Sequence, residues 1–198
     1  PENPEVKYLL EQGVRIHSFP ELLYEIAEDK IRIVVAGTHG KSTTTGLLGH
    51  ILHDIDDSSF MTGAVLQGHD TNFEYGEGHY FVFEGDEYKA LYDDPTPKFH
   101  YYKADVLVLT NLEFDHPDIF ADLDEMKDEF RQLIANMPDD GLIIYNADDV
   151  NLVQLMHETE VASFGFSVHN PSDFMVDEIN YNSDGSSFRL NRKQKSEL

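Results

Sequence analysis

The chain has 198 residues, enough for one well-buried core with part of a second unit attached, and its 40% of hydrophobic residues place it among globular proteins. Fourteen Lys and Arg against 38 Asp and Glu give a net charge of -24, which repels nucleic-acid phosphates, and the lack of cysteine excludes disulfides, thiolate zinc sites and cysteine nucleophiles. No apolar run approaches the length of a membrane span and the start Pro-Glu-Asn-Pro resembles no signal peptide, so the expectation is a cytoplasmic protein whose partners include neither nucleic acid nor membrane.

In chain order, Val6, Leu9 and Leu10 mark a first helical pattern after Pro4, followed by a short extended piece at Val14 and Ile16. Phe19, Leu22, Leu23 and Ile26 predict a second helix. From Ile31 onward predicted strands alternate with helices. Ile31 to Ala36 is a β-branched run suited to a buried parallel strand, and the helix that follows carries Leu47, Leu48, Ile51 and Leu52 on one face. Further strands are expected over 80–84, 105–110 and 141–146. Met126, Phe130, Leu133, Ile134 and Met137 mark an amphipathic helix ending near Pro138, and 150–156 a short helix. After Val161 the pattern changes to short strands. Phe174, Val176 and Ile179, a turn at Asp184-Gly185, then Phe188 and Leu190 predict an antiparallel hairpin at a sheet edge. The expected class is therefore α/β: a mostly parallel sheet flanked by helices, with a small antiparallel extension near the C-terminus. Ligands in such sheets sit at the carboxyl ends of the strands.

The run Gly37-Thr38-His39-Gly40-Lys41-Ser42-Thr43-Thr44-Thr45 lies at such an end, between a strand and a helix. Glycines at 37 and 40 permit a tight turn that presents backbone N–H groups to phosphate oxygens, and the positive end of the helix dipole adds to the attraction. Lys41 supplies a mobile positive charge for the β- and γ-phosphates, and the Ser42 hydroxyl suits Mg²⁺. The loop is shorter than the usual pattern, since Val35 stands where its first glycine falls. The bland alternative is a glycine-rich turn.

Two more clusters follow predicted strands. Glu84-Gly85-Asp86-Glu87 places carboxylates at a strand tip, where one of them can hold Mg²⁺, or it is an ordinary acidic loop. Asn111-Leu112-Glu113-Phe114-Asp115-His116 offers oxygen and imidazole groups for a second cation or for a carboxylate substrate. In the alternative, His116 is a surface residue and Asp115 or Asp118 caps a helix. Together the three clusters favour an ATP-driven reaction with a carboxylate acceptor, because cations between phosphates reduce repulsion as an anionic nucleophile approaches.

In this order, Gly-Thr-His-Gly-Lys-Ser-Thr-Thr-Thr, Glu-Gly-Asp-Glu-Tyr and Thr-Asn-Leu-Glu-Phe-Asp-His-Pro-Asp-Ile-Phe resemble the central domain of the Mur ligases. Ser42 stands where that family more often has threonine, which keeps the hydroxyl. The resemblance implies a three-domain enzyme. Residues 1–29 would be the tail of an amino-terminal UDP-binding domain, 30–190 the central ATP-binding domain and 191–198 a polar tail, with the carboxyl-terminal domain absent. It implies ATP and Mg²⁺ as cofactors. The loop Gly37, Thr38, His39, Gly40, Lys41, Ser42 and Thr43 would bind nucleotide, with Lys41 and His116 catalytic. Ser42, Glu84 and His116 would hold metal, and Asn111 and Asp115 would lie toward substrate. The implied reaction activates the carboxylate of UDP-N-acetylmuramate as an acyl phosphate, which an amine then attacks. The stretch from Glu84 through Lys98-Phe99-His100-Tyr101 to Phe120 is most similar to the muropeptide-recycling branch, whose amine is the tripeptide L-Ala-γ-D-Glu-meso-diaminopimelate. The L-alanine-adding branch is the second choice. A phosphate-loop ATPase or a nucleotide-binding module of another class is the third.

Overall fold

A run of Ile-Arg-Ile-Val-Val-Ala is apolar enough to be covered on both faces, and it forms the strand against which the rest of the sheet is laid. The computed structural model describes residues 3–68, 70–91, 94–115 and 117–193. Two short helices, α1 (Pro4–Glu11) and α2 (Phe19–Ile26), precede strand β1 (Ile31–Ala36) and the long helix α3 (Lys41–Asp56). Then come β2 (Ser59–Met61), β3 (Phe73–Glu74), β4 (Tyr80–Glu84), the hairpin β5 (Lys89–Leu91) and β6 (Asp94–Pro97), and the single turn α4 (Lys98–Tyr101). The order continues with β7 (Val106–Leu109), α5 (Leu123–Ala135), β8 (Leu142–Asn146), α6 (Val150–Met156), β9 (Ala162–Ser167), β10 (Phe174–Asn182) and β11 (Gly185–Arg192).

Among the described residues nine strands make one sheet in the order β11-β10-β9-β8-β7-β1-β4-β2-β3. From β10 to β2 every pairing is parallel, while β3 on β2 and β11 on β10 are antiparallel, so both margins of the sheet are antiparallel. Val35 pairs with Glu84 on one side and with Val108 on the other. That register brings the carboxyl ends of β1, β4 and β7 level with one another, which is where the three sequence clusters emerge.

Alternation along β1 feeds two cores. Val34 and Ala36 join Phe81, Phe83, Leu107 and Leu109 beneath α2, α4, α5 and α6, where Leu23, Phe99, Met126, Phe130 and Leu152 are buried. Ile33 and Val35 join Phe60, Val82 and Val108 on the opposite face, beneath Leu48 and Leu52 of α3. In the first core Phe81 stacks on Phe83 at 4.1 Å between ring centroids, and Phe83 on Tyr102 at 4.6 Å. Each fully buried aromatic side chain contributes about 2–3 kcal/mol relative to exposure. Leu23 and Ala27, at the end of α2, lie in this same core.

One expectation for α3 is corrected. Leu47 and Ile51 do not share the buried face with Leu48 and Leu52: they are 62% and 54% exposed, and the fully buried positions are Thr45, Gly46 and Gly49. The cause is close packing. A Cβ on Gly49 would lie 2.6 Å from the Phe60 side chain, and one on Gly46 equally close to Leu66, so the helix meets the sheet through its glycines. Apolar periodicity alone does not weigh a bare backbone as a contact surface. The strands β2, β3, β5 and β6 are likewise absent from the sequence expectation, whereas the short strands expected after Val161 are present as β9 and the edge hairpin β10 and β11.

Below the sheet, the segment between β3 and β4 is tied to the end of α3. The Lys30 ammonium, 7% exposed, donates to the carbonyls of Gly76 and Gly78 at 2.8 and 2.6 Å. The Asp56 carboxylate accepts from the Ser58 hydroxyl at 2.6 Å and the His79 N–H at 2.8 Å, with His79 Nδ1 also 2.8 Å away. These bonds, Ser58 foremost and then His79, push the Asp56 pKa down to about 2. A depressed carboxylate pKa stabilises the fold above the unfolded value of about 4 and loses that contribution as pH falls toward 2. Asp56→Asn is therefore expected to melt below wild type at pH 6, and the gap is expected to close between pH 4 and 2 in thermal unfolding followed by circular dichroism.

Candidate phosphate-binding site

β1 ends at Ala36 in the middle of the sheet, and four residues turn the chain into α3. Gly37 has φ 137° and its missing Cβ leaves room that no other residue has: a methyl there would lie 2.2 Å from Thr110 Oγ1 and 2.8 Å from the Asn111 carbonyl oxygen. Gly40 takes the left-handed conformation with φ 81° and begins α3 with no side-chain cap. The first turn of α3 also lacks any acidic residue. Its first N–H groups thus carry no side-chain cap, the condition for holding an anion. They open on a cavity of about 290 Å³ lined by Thr38, His39, Gly40, Lys41, Ser42, Thr43 and Glu84.

The loop is braced by the segment that follows β7. Thr38 N–H donates to the Asn111 carbonyl at 3.1 Å and His39 N–H to the Asn111 side-chain oxygen at 2.7 Å. The Thr38 hydroxyl donates to Glu113 O at 3.0 Å and accepts from Glu113 N–H at 2.9 Å, while Thr110 Oγ1 donates to His39 O at 2.8 Å. This brace has its own anchor. Asp149 accepts from Leu112 N–H at 2.7 Å with one oxygen and caps α6 through Asn151 and Leu152 with the other. Asp149 was not singled out in the sequence, although an aspartate directly before a predicted helix is an ordinary capping signal.

Two carboxylates meet two consecutive residues of the helix start, Glu84 from the lining of the cavity and Glu87 from a buried position. Ser42 Oγ donates to Glu84 Oε1 at 2.8 Å, and the other Glu84 oxygen accepts from Gly63 N–H at 2.6 Å. Lys41 Nζ lies 3.1 Å from Glu87 Oε2, and it also donates to the carbonyls of Gly37 and Thr38. Glu84 has neutral donors and, among the described residues, no ion pair. Its charge and the Ser42 hydroxyl form an all-oxygen pair that fits Mg²⁺, which takes one or two carboxylates and fills its remaining positions with water and phosphate oxygens. Among the described residues no cluster of three or more His, Asp or Glu side chains is arranged to hold a metal unaided.

Of the residues expected at the site, Gly37 to Thr43, Lys41, Ser42 and Glu84 are brought together. Asn111 reaches the loop through its side-chain oxygen, and half-buried Asp115 is not among the residues lining the cavity. His116 lies outside the described residues. A neighbouring cavity of about 240 Å³ shares Glu84 and is bordered by Thr62, Gly63, Asn72 and Lys98. A larger one, about 840 Å³, lies between α2 and α4. Its basic groups are occupied, Arg15 by Glu25, His100 by Glu129 and Lys103 over the Tyr24 ring. The smaller phosphate-loop cavity is therefore the better supported site.

A parallel sheet with an uncapped glycine loop at its central strand defines a phosphate-loop α/β domain. The chain belongs to the Mur ligase family: residues 35–198 match the Mur ligase middle domain. It is 40% identical over 159 residues to the UDP-N-acetylmuramate--L-alanyl-gamma-D-glutamyl-meso-2,6-diaminoheptandioate ligase of Escherichia coli, covering 78% of this chain and 34% of that protein. It is 33% identical over 189 residues to the UDP-N-acetylmuramate--L-alanine ligase of Lactobacillus acidophilus, covering 96% of this chain and 40% of that protein. Among solved structures, the UDP-N-acetylmuramate:L-alanyl-gamma-D-glutamyl-meso-diaminopimelate ligase from Neisseria meningitides superposes with a TM-score of 0.79 at 30% identity, over 94% of this chain and 60% of that one. The chain spans 34 to 40% of the length of these curated relatives.

Proposed function

We propose that this chain is the nucleotide-binding part of an ATP-dependent ligase that joins an amine to the carboxylate of UDP-N-acetylmuramate. The observation that carries this reading is the convergence, in one cavity, of an uncapped helix start, Lys41 and the Ser42–Glu84 oxygen pair, in a chain of the Mur ligase family. Residues 30–190 form the central domain on this reading and 191–198 a polar tail, whose first two residues complete β11. Residues 1–29 belong to the end of a UDP-binding domain, with α2 lying against the central core, and the domain delivering the amine lies beyond this chain. The amine is the tripeptide L-Ala-γ-D-Glu-meso-diaminopimelate, in keeping with the 40% identity to the E. coli ligase. The L-alanine ligases, which match across nearly the whole chain, support the second choice. The assigned compartment is the cytoplasm, and no helix among the described residues is long and apolar enough to cross a membrane.

In this assignment the first-turn N–H groups of α3 and the Lys41 ammonium hold the β- and γ-phosphates of ATP while negative charge develops on the transferred group. Ser42 and Glu84 would hold Mg²⁺, which supplies charge neutralisation between phosphate oxygens. Gly37 and the Asn111 brace keep the loop in place, so the donors need no rearrangement as charge builds. His116, Asn111 and Asp115 are assigned to the acceptor end, with His116 helping to hold a second cation beside the carboxylate.

The deciding experiment is phosphate release by the full-length enzyme with Mg-ATP and UDP-N-acetylmuramate, adding the tripeptide, L-alanine or neither. Release driven by the tripeptide supports the first assignment, and release driven by L-alanine moves it to the second. Release that is the same with neither amine added would reject the ligase reading. A metal prediction follows from the charges: Lys41 and Glu87 offset each other, leaving Glu84 as one net negative charge facing a polyanion. Chelation of Mg²⁺ is expected to weaken nucleotide binding by about tenfold or more, and Glu84→Gln to raise the Mg²⁺ concentration for half-saturation by a similar factor. A fluorescent nucleotide titrated across Mg²⁺ concentrations reads both.

A further inference from the structure

Glu87 is a buried carboxylate with no place in the reaction as described. It is 4% exposed, and its partner Lys41 has a side chain 13% exposed. An ammonium group has three N–H donors. Those of Lys41 are met by the Gly37 carbonyl at 2.7 Å, the Thr38 carbonyl at 3.2 Å and Glu87, whose two oxygens lie 3.2 and 3.1 Å away. A phosphate oxygen approaching Lys41 therefore meets a cation whose donors are already engaged.

Two of the three acceptors belong to the loop, and only Glu87 comes from elsewhere and carries charge. Its segment is fixed on both sides. Gly85 N–H donates to Val35 O at 2.8 Å, and a Cβ on Gly85 would lie 2.9 Å from Val34 Cγ1, so this backbone is pressed against β1. On the far side Phe99 N–H donates to Asp86 O and Lys98 N–H to Tyr88 O. Glu87 has little room to follow or retreat, whereas Lys41 has a flexible four-carbon stem.

We propose that Glu87 is the positioning residue for Lys41: it holds the ammonium in a resting place within the loop, and a nucleoside triphosphate binds by drawing Lys41 away from it. The proposal rests on the nucleotide reading above. It makes the affinity a difference between two charge-assisted contacts, Lys41 with carboxylate and Lys41 with phosphate. Removing the carboxylate charge raises the energy of the free protein more than that of the complex, because a cation left without its partner in a part-buried site is costly. Weaker folding and tighter binding are then expected of one substitution. A purely structural ion pair predicts loss of both.

The test uses the 198-residue chain and a fluorescent, non-hydrolysable ATP analogue with Mg²⁺. Glu87→Gln is expected to lower the melting temperature of the free protein and to lower the Kd for the analogue about tenfold. Glu87→Asp, which keeps the charge but shortens its reach, is expected to fall between, and it carries the test if the glutamine variant does not fold. A second readout separates action through Lys41 from direct repulsion of phosphate: acylation of Lys41 by acetic anhydride without nucleotide, mapped by mass spectrometry. It is expected to accelerate severalfold in Glu87→Gln, and unchanged reactivity would overturn the proposal. Equal or weaker analogue binding by the variants would overturn it too, while leaving the nucleotide reading intact. No binding by wild type or variant would overturn that reading and the proposal together.

Discussion

Lys41→Ala is expected to weaken Mg-nucleotide binding by this chain, and to lower turnover of the full-length enzyme, by a factor on the order of 10² or more. Two effects act in the same direction. The alanine removes a charge-assisted contact to the phosphates, and it leaves the Glu87 carboxylate, 4% exposed, without the ammonium 3.1 Å away. A buried carboxylate that has lost its ammonium destabilises the fold and adds negative potential where the triphosphate must enter. The double change Lys41→Ala with Glu87→Gln is accordingly expected to recover stability but not binding. Nucleotide titration and thermal unfolding of the three proteins check this, and near-normal binding by Lys41→Ala would remove Lys41 from the site.

Gly37→Ala is expected to abolish measurable nucleotide binding and to cost roughly 2–4 kcal/mol of stability, the scale of combined overpacking and backbone strain. The added methyl would lie 2.2 Å from Thr110 Oγ1 and within 3.0 Å of both Asn111 O and N, at a φ of 137° that disfavours any side chain. Relief requires parting the tip of β1 from the segment beyond β7, which breaks the bonds of Asn111 and Glu113 to the loop. Gly40→Ala provides the comparison. Its φ of 81° is also unfavourable, but among the described residues no heavy atom beyond its chain neighbours lies within 4 Å of the new Cβ, so the conformational cost of about 1–2 kcal/mol remains. Equal losses at the two positions, in chemical denaturation and nucleotide titration, would show that the approach of Thr110 is not the constraint.

Much of the sheet could be read from local pattern. β1, β4 and α6 have the expected limits because Ile-Arg-Ile-Val-Val-Ala and Tyr-Phe-Val-Phe-Glu are bounded by turn residues, and Asp149 stops α6 on its amino side. The site was legible where chemistry is written in adjacent residues, as in Gly37 to Ser42, or at a strand tip, as at Glu84. Its pairings were not. Nothing local states that Lys41 meets Glu87 rather than Glu84, or that Asp149 holds the segment that in turn holds Thr38, whereas the nearness of Ser42 and Glu84 follows from the family resemblance. Those choices are made by sheet order, which places β4 and β7 on either side of β1. The buried side of α3 is not legible for a related reason, since Gly46 and Gly49 gain their meaning from Leu66 and Phe60, which lie outside the helix.

The central place of β1 also governs when the site comes into being. Its hydrogen-bonding neighbours are β4 and β7, and the final anchor of the loop is Asp149, so the contacts that brace the loop from outside join segments distant in the chain. Non-local pairing of this kind is slow to form and waits for its later strands. On the ribosome, Gly37 to Thr45 emerges well before Glu84, and Glu84 before the Thr110 to Glu113 brace. A nascent chain therefore displays the whole phosphate-loop motif well before the segments that brace it, and the brace is complete only once Asp149 has emerged.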